Sequence, residues 1–363
     1  MNIKYTTKKV ITIVINQFKI AKRYLKIKRR KVLQYPSVIQ LPITYLCNFD
    51  CVMCGMHHMI KRKDFTATEL RTILSDKLFS KVKSVGVNGG EPFLKKDLVD
   101  CIQVMADVLP ELNEINFISN GFFTDRIVTD LKKIKSICEE RNIRVHISFS
   151  VDGIDDMQDF HRGKKKAFEN VDKTIKKIYE NSNQYIDSMN VICTITKYNI
   201  YRINEVEAWA KKVGIDVAYN IATVNVRIEN EDRVEDFSIF SDEEARMLSQ
   251  EFFYYKYLET DSERFFAIFL FCKEKRRFSD CPCMYNEWIT LTPDTQIGFC
   301  ATHSKNLGSA LTNSAYKIVS ENQEYLVQLK SEFCSTCSHY MYSLNTEGYR
   351  IYLNDKFSNK FMK

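Results

Sequence analysis

The stretch whose reading decides the fold is Cys47-Asn48-Phe49-Asp50-Cys51-Val52-Met53-Cys54, which follows at once on Val38-Ile39-Gln40-Leu41-Pro42-Ile43-Thr44-Tyr45. The β-rich run 38–45 reads as a strand, so the three cysteines, spaced Cys-x3-Cys-x2-Cys, stand on the loop that leaves it. Three thiolates in eight residues wrap one compact metal centre without filling four coordination positions. An open position is what separates a reactive metal site from a structural one. A zinc knuckle completed by His57 or His58 satisfies the same spacing. The triplet taken alone leaves both readings open.

Outward from this loop, short β-rich runs alternate with amphipathic helical runs. Strands are expected at 38–45, 82–88, 115–119, 145–151, 189–196 and 217–221. Helices are expected at 66–79, opened by a Thr66-x-x-Glu69 capping box, and at 97–109, 125–140, 167–180 and 203–212. Six strands separated by helices predict parallel βα units, hence an α/β fold with an open or partly closed barrel. In such folds chemistry gathers at the carboxyl ends of the strands. The polar, acidic run 229–246 reads as part of a connector, 226–270, into a cysteine-rich second region, 271–340. Residues 341–363 carry no usable pattern.

Of twelve cysteines, nine fall into two groups, Cys47 to Cys54 and Cys272 to Cys337. Cys101, Cys138 and Cys193 stand alone in apolar stretches and read as buried small side chains. A composition 45% hydrophobic and 27% charged excludes a disordered or collagenous chain. No run of about eighteen apolar residues exists to span a membrane. The apolar run 10–15 is broken by Thr12 and makes a poor secretory signal. A reducing cytoplasm is therefore expected, where clustered thiols serve metals rather than disulfides.

Further motifs sit at the expected strand ends. Asn88-Gly89-Gly90-Glu91-Pro92 closes the second strand: two glycines let backbone approach a ligand, and Glu91 offers a carboxylate to an ammonium group. Ser119-Asn120-Gly121 ends the third strand, and Ser150-Val151-Asp152-Gly153 ends the fourth, ahead of His161-Arg162-Gly163. Ser150 and Asp152 also suit a turn, and Arg162 a solvated surface position. Together with the cysteine triplet, this set resembles the radical SAM superfamily over the core 38–225. The resemblance implies a partial (β/α)6 radical SAM barrel. In it Cys47, Cys51 and Cys54 hold a 4Fe-4S cluster whose open iron is chelated by S-adenosylmethionine (SAM). It further implies that Met53 meets the adenine and that Gly89, Gly90 and Glu91 meet the methionyl amine. Ser150, Asp152 and Arg162 would face the ribose and carboxylate, and Asn120 would take part from the third strand end.

The second group reads Cys272, Cys281-Pro282-Cys283, Cys300 and Cys334-Ser335-Thr336-Cys337. Cys283, Cys300, Cys334 and Cys337 supply four thiolates, enough to close one further 4Fe-4S cluster, with Cys281 a rival for the first place. A zinc ribbon would use the same spacing. Cys272 follows a run rich in phenylalanine and reads as a packed side chain. The arrangement resembles the small C-terminal twitch or SPASM auxiliary domains, and six cysteines favour the version with one auxiliary cluster. Thr295 occupies the place where those domains carry glycine, so the hairpin turn is expected to be built differently.

The resemblance implies an enzyme that cleaves SAM reductively to a 5′-deoxyadenosyl radical and abstracts a substrate hydrogen, with flavodoxin or ferredoxin as reductant. Oxidation or epimerisation of a sugar, cyclitol or related small metabolite is the expected outcome. Modification of a ribosomal peptide is the alternative, and a non-catalytic zinc-binding interaction protein is the alternative of another class. No residue is identified as the catalytic acid or base.

The formal charge of +7 is unevenly spread. Residues 1–31 carry eleven of the 53 bases and no acid, which leaves 42 bases against 46 acids in the remainder. Val10, Val14, Phe18, Ala21 and Leu25 recur at helical spacing with bases largely on the other sides, so the segment 1–37 is expected to hold a basic amphipathic helix. Such a helix suits peripheral contact with an anionic inner membrane surface, and equally suits packing on the barrel with a solvated basic face. Nucleic-acid binding is not expected, because no supporting motif accompanies the charge.

Overall fold

In the computed structural model, which describes residues 3–339 and 341–361, each of the six expected strands forms within two residues of its expected bounds. They are β1 (Val38–Thr44), β2 (Ser84–Gly89), β3 (Glu114–Ser119), β4 (Arg144–Ser150), β5 (Ser188–Ile195) and β6 (Val217–Ile221). The helices between them are α2 (Ala67–Leu74), α3 (Leu98–Val108), α4 (Thr124–Glu139), α5 (Asp156–Arg162) and α6 (Ala167–Glu180), then α7 (Ile203–Val213). A long helix α1 (Ile3–Lys28) precedes the first strand.

The strands pair in the order β6-β5-β4-β3-β2-β1, all parallel. Parallel pairing follows from the helical crossovers, each of which returns the chain to the same end of the sheet. One face of the sheet is covered by helices: Ile127, Leu131 and Ile134 of α4 and Val171, Ile175 and Ile178 of α6 are buried in a core shared with Ile39, Leu41 and Val85. Cys101 and Cys138 lie in this core and Cys193 in the neighbouring one, all fully buried as expected. The inner face carries the polar series Gln40, Asn88, Thr194 and Asn220, which border a cavity. This is the partial (β/α)6 barrel.

Two expectations need correction at the level of elements. The helix expected at 66–79 has its capping box, with Thr66 Oγ1 accepting from Glu69 N at 3.2 Å and Glu69 returning a bond to Thr66 N at 2.7 Å. It ends at Leu74, because Asp76 adopts extended backbone and caps a separate 3-10 turn, Lys77–Lys81, by accepting from Leu78 N. The stretch 226–270, expected as a connector, holds α8 (Val234–Phe237), α9 (Glu243–Thr260) and most of α10 (Glu263–Glu274). Apolar residues are spread around α9 and α10 rather than along one stripe, which hides the helical period. Phe253, Tyr257, Phe265 and Phe266 instead build an aromatic second core.

The cysteine-rich region is continuous with the sheet. After β7 (Ser279–Asp280), strand β8 (Trp288–Leu291) pairs in parallel with β1 through Val38↔Trp288, Ile39↔Ile289 and Gln40↔Thr290, and β9 (Ile297–Gly298) pairs back on β8. The β8–β9 turn is not built around the missing glycine: Thr295 itself adopts φ +71°, the left-handed backbone that glycine would take without cost. Helices α11 (Ala315–Glu321) and α12 (Gln323–Glu332), strand β10 (Ser343–Leu344) against β7, and α13 (Thr346–Phe361) complete the described chain. The expected boundary at residue 340 and the last two residues of the expected tail 341–363 lie outside the described residues.

Helix α1 packs through Ile20 into the aromatic core. Its fixing is ionic as well as apolar: Arg23 pairs with Glu263 at 2.5 Å, and Arg30 bridges Asp280 and Glu287. The stripe read from sequence faces away from this contact: Val10, Val14, Phe18 and Leu25 are exposed, Phe18 by 73%.

Candidate active site

The turn that launches the cysteine loop is set by Asp64, which accepts from Tyr45 N at 2.9 Å and from the Thr44 hydroxyl, while Thr44 Oγ1 accepts from Leu46 N at 3.0 Å. Within the loop Cys54 N donates to Cys51 O at 3.0 Å. Two neighbours hold it from outside: Val52 N donates to His161 O at 3.0 Å, and Asn120 Nδ2 donates to Asn48 Oδ1 at 2.8 Å. Cys51 is buried and Cys47 and Cys54 are half-buried, packed with Phe49, Met53 and Phe122. Burial pushes the Cys47 and Cys51 thiols up to about 12, aided at Cys47 by Cys51 and, at Cys51, opposed by Arg162. Such thiols ionise when a bound cation replaces their protons, so this donor set fits a metal-sulfur centre.

The Gly89-Gly90 pair serves this loop directly. A Cβ on Gly90 would stand 2.0 Å from Leu46 O, and one on Gly89, which has φ +122°, would stand 2.7 Å from Thr44 O. That proximity allows Gly90 N to donate to Thr44 O at 2.9 Å and Glu91 N to Leu46 O at 2.7 Å. The Glu91 carboxylate accepts from Phe93 N at 3.2 Å, Ser119 Oγ at 2.9 Å and Asn120 N at 2.7 Å. Burial lifts its pKa to about 7 against these bonds. These bonds tie the end of β2 to the end of β3.

Asp152 stands at the centre of a buried charged group. It is fully buried, with Oδ2 2.6 Å from Arg162 Nη2 and 2.8 Å from His161 Nδ1, and Oδ1 accepting from Thr194 N at 2.7 Å. Burial alone would raise its pKa, yet Arg162 and His161 hold it below the usual carboxylate range. It therefore positions Arg162, whose Nη1 lies 3.8 Å from Cys51 Sγ. Ser150 is buried, and its carbonyl accepts from Gln158 Nε2 at 2.9 Å. Asn120 braces the cysteine loop through Asn48, as described.

Sequence reasoning missed Asn48, Asn230 and Arg233. Asn230 Nδ2 donates to Met53 O at 2.8 Å, and Arg233 reaches the carbonyls of Cys54 and Val52 at 3.4 Å each. Asn230 and Arg233 lie in an acidic run whose local pattern points to solvent, so no signal marked them. His57 pairs with Asp50 at 2.8 Å and His58 is exposed, so neither completes a knuckle with the cysteines. Among the described residues no three His, Cys, Asp or Glu side chains converge tightly enough for a single ion.

A second thiol chamber is lined by Cys281, Cys283, Cys300, Cys334 and Cys337 with Leu326, Leu329 and Phe333. Backbone N–H groups of His303 and His339 donate to the sulfurs of Cys300 and Cys337 at 3.3 and 3.4 Å. A hydrogen bond between the Cys281 and Cys283 thiols lowers the pKa of the first to about 6 and raises the second. Cys272 is packed in the aromatic core, as expected. His339 borders both this chamber and a cavity of about 280 Å³ on the inner face of the strands, which reaches Gln40, Asn88, Ile118, Thr194 and Asn220.

Residues 41–210 match the model of the radical SAM superfamily, and with this parallel barrel and cysteine loop they form a radical SAM domain, whose family uses a 4Fe-4S cluster and SAM. Among curated proteins, a probable GTP 3′,8-cyclase of Sulfurisphaera tokodaii is 22% identical over 184 residues, 49% of this chain and 53% of that protein. The GTP 3′,8-cyclase of Pasteurella multocida is 29% identical over 138 residues, 36% of this chain and 41% of that protein. The matched part thus spans about half of these relatives or less. Among solved structures, anSMEcpe with bound AdoMet superposes with TM-score 0.61 at 14% identity, covering 89% of this chain and 98% of that one. SuiB of Streptococcus suis bound to precursor peptide SuiA gives TM-score 0.55 at 14% identity, covering 82% and 67%. The fold likeness therefore runs beyond the barrel into the cysteine-rich region.

Proposed function

We propose that this radical SAM enzyme oxidises or epimerises a hydroxyl-bearing small metabolite of the sugar or cyclitol type. The carrying observation is one continuous arrangement. Strand β1, from which the cysteine loop leaves, gives Gln40 to a cavity also lined by the amide and hydroxyl side chains Asn88, Thr194, Asn220 and Ser338, and that cavity shares His339 with the five-thiol chamber. Amides and hydroxyls both donate and accept, which suits hydroxyl groups on a substrate.

When bound, a 4Fe-4S cluster with SAM supplies, on one-electron reduction, a 5′-deoxyadenosyl radical that takes hydrogen from carbon. Cys47, Cys51 and Cys54 would hold that cluster. Arg162, kept in place by Asp152, sets a guanidinium beside Cys51 and suits a carboxylate on SAM. Cys300, Cys334 and Cys337 with Cys283 would hold one auxiliary 4Fe-4S cluster, and a flavodoxin or ferredoxin would deliver the electron.

Iron, sulfide and zinc analysis with UV-visible spectra after anaerobic reconstitution tests the reading, together with 5′-deoxyadenosine formation. Cys51→Ala is expected to abolish SAM cleavage while the auxiliary cluster remains. Colourless protein that holds zinc, or undiminished cleavage by Cys51→Ala, refutes it. Turnover of a peptide with no turnover of polyols would move the substrate to the peptide class.

A second reading concerns α1, which we propose as a peripheral anchor on an anionic membrane surface. Its exposed stripe of Val10, Val14, Phe18 and Leu25 lies beside Lys8, Lys19, Lys22 and Lys26, and no described helix is long and apolar enough to cross a membrane.

A further inference from the structure

The inner cavity contains a charge imbalance that the radical chemistry does not use. Arg227 and Arg264 both line it, and among the described residues none that lines it is Asp or Glu. Arg264 is held from one side only: its Nη2 donates to Tyr219 O at 3.0 Å and to Asn220 Oδ1 at 2.5 Å. The ring of Tyr342 lies 5.5 Å from its guanidinium carbon and that of Phe265 5.9 Å. Its Nε and Nη1 have no hydrogen-bond partner and the side chain forms no ion pair, among the described residues.

A guanidinium is charged at any working pH, and Arg264 is half-buried at the cavity wall, where an anion would find a fixed positive charge with free donors. Two buried guanidiniums show the contrast. Arg162 has Asp152, and Arg277 donates to the backbone carbonyls of Ser279, Asp280 and Cys337. Arg264 differs in leaving donors on the side that borders the cavity. Its Nη2 bonds also fix the end of β6, so the fork is oriented before any ligand arrives.

We infer that the cavity takes a substrate bearing an anionic group, a carboxylate or a phosphate, and that Arg264, assisted by Arg227, binds that group. This rests on reading the cavity as the substrate site of the radical enzyme. The polar strand residues would then meet the hydroxyl-bearing part of the molecule, and the anion would fix its direction. Such a contact selects one carbon for hydrogen loss by orientation alone. A sugar phosphate and a sugar acid share this chemistry.

The test uses the full chain, anaerobically reconstituted and saturated with SAM so that its carboxylate site is filled. Inorganic phosphate and malonate are titrated separately by calorimetry into wild type, Arg264→Gln and Arg264→Lys. Wild type is expected to bind at least one probe, Arg264→Gln to bind it at least tenfold more weakly, and Arg264→Lys to lose less. SAM affinity is expected to stay within twofold throughout. Preference for phosphate assigns a phosphoester and preference for malonate a carboxylate, and either supports the site. Binding of neither probe by wild type overturns it, as does equal binding by Arg264→Gln or a parallel loss of SAM affinity. If Arg264→Gln does not fold, phenylglyoxal labelling of wild type decides: protection of Arg264 by the probe supports the site, and unprotected labelling refutes it. Anion binding without SAM cleavage would refute the radical reading and leave the anion site standing.

Discussion

Gly163 lies directly beneath the carbonyl of Asp50: a Cβ built on Gly163 would fall 1.9 Å from that oxygen, and its φ of +60° is left-handed. The helix that carries Arg162 thus ends against the middle of the cysteine loop, backbone to backbone. This contact sets the distance between Arg162 and Cys51.

Gly163→Ala is therefore expected to push the loop outward. The left-handed residue alone costs about 1–2 kcal/mol, and the overlap with Asp50 adds to it. Iron bound at the first cluster should fall severalfold while the auxiliary iron stays. Iron counting and the two clusters' electron paramagnetic resonance signals measure this, and full retention of both would disprove the contact's importance.

Asp152→Asn leaves Arg162 buried without its counter-charge. Removing one partner of a buried pair costs about 3–5 kcal/mol, so a marked drop in melting temperature is expected. The acid limb should change too. The folded carboxyl sits below its unfolded value, so its contribution is complete above the unfolded pKa of about 4 and is lost as pH falls through the folded value. Melting curves from neutral pH into acid should therefore show a shallower acid decline for Asp152→Asn than for wild type.

The five-thiol chamber offers one sulfur more than a cluster needs. Cys281→Ser is expected to keep about eight irons per chain, whereas Cys283→Ser should keep about four. The opposite pattern would assign Cys281 as the ligand.

Thr295→Gly should release about 1–2 kcal/mol of left-handed strain and give up a bond of about 1 kcal/mol between Thr295 Oγ1 and Ser309 Oγ. Stability within about 1 kcal/mol of wild type is expected. Thr295→Val keeps the strain, loses the bond and should cost about 1–3 kcal/mol. Denaturant titration distinguishes the two.

Phe18→Glu alters a side chain 73% exposed, so fold stability should hold. Flotation with anionic vesicles should weaken at least severalfold. Unchanged flotation would remove the membrane reading of α1.

The alternation of strands and amphipathic helices was legible in the chain because parallel strands need apolar runs and their crossovers need one apolar face. The cysteine spacing and the strand-end glycines were legible too, since local chemistry demands them. Helices α9 and α10 were not, because they are apolar on several sides and pack among themselves. The roles of Glu91 and Asp152 were equally hidden. Their bracing bonds, Glu91 to the end of β3 and Asp152 to Arg162, join residues far apart in the chain.

What the sequence determined by itself was the barrel, the triplet Cys47, Cys51 and Cys54, and the gathering of thiols after residue 280, all of which depend on residue type at short spacing. What the tertiary structure decided was which charges find partners. It joined β8 to β1, brought Asn230 and Arg233 onto the cysteine loop and gave Arg162 its carboxylate, while Arg264 was left facing a cavity without one. Spacing along the chain carries no information on these pairings, because each joins residues from different elements and its energy depends on burial that only the assembled fold creates.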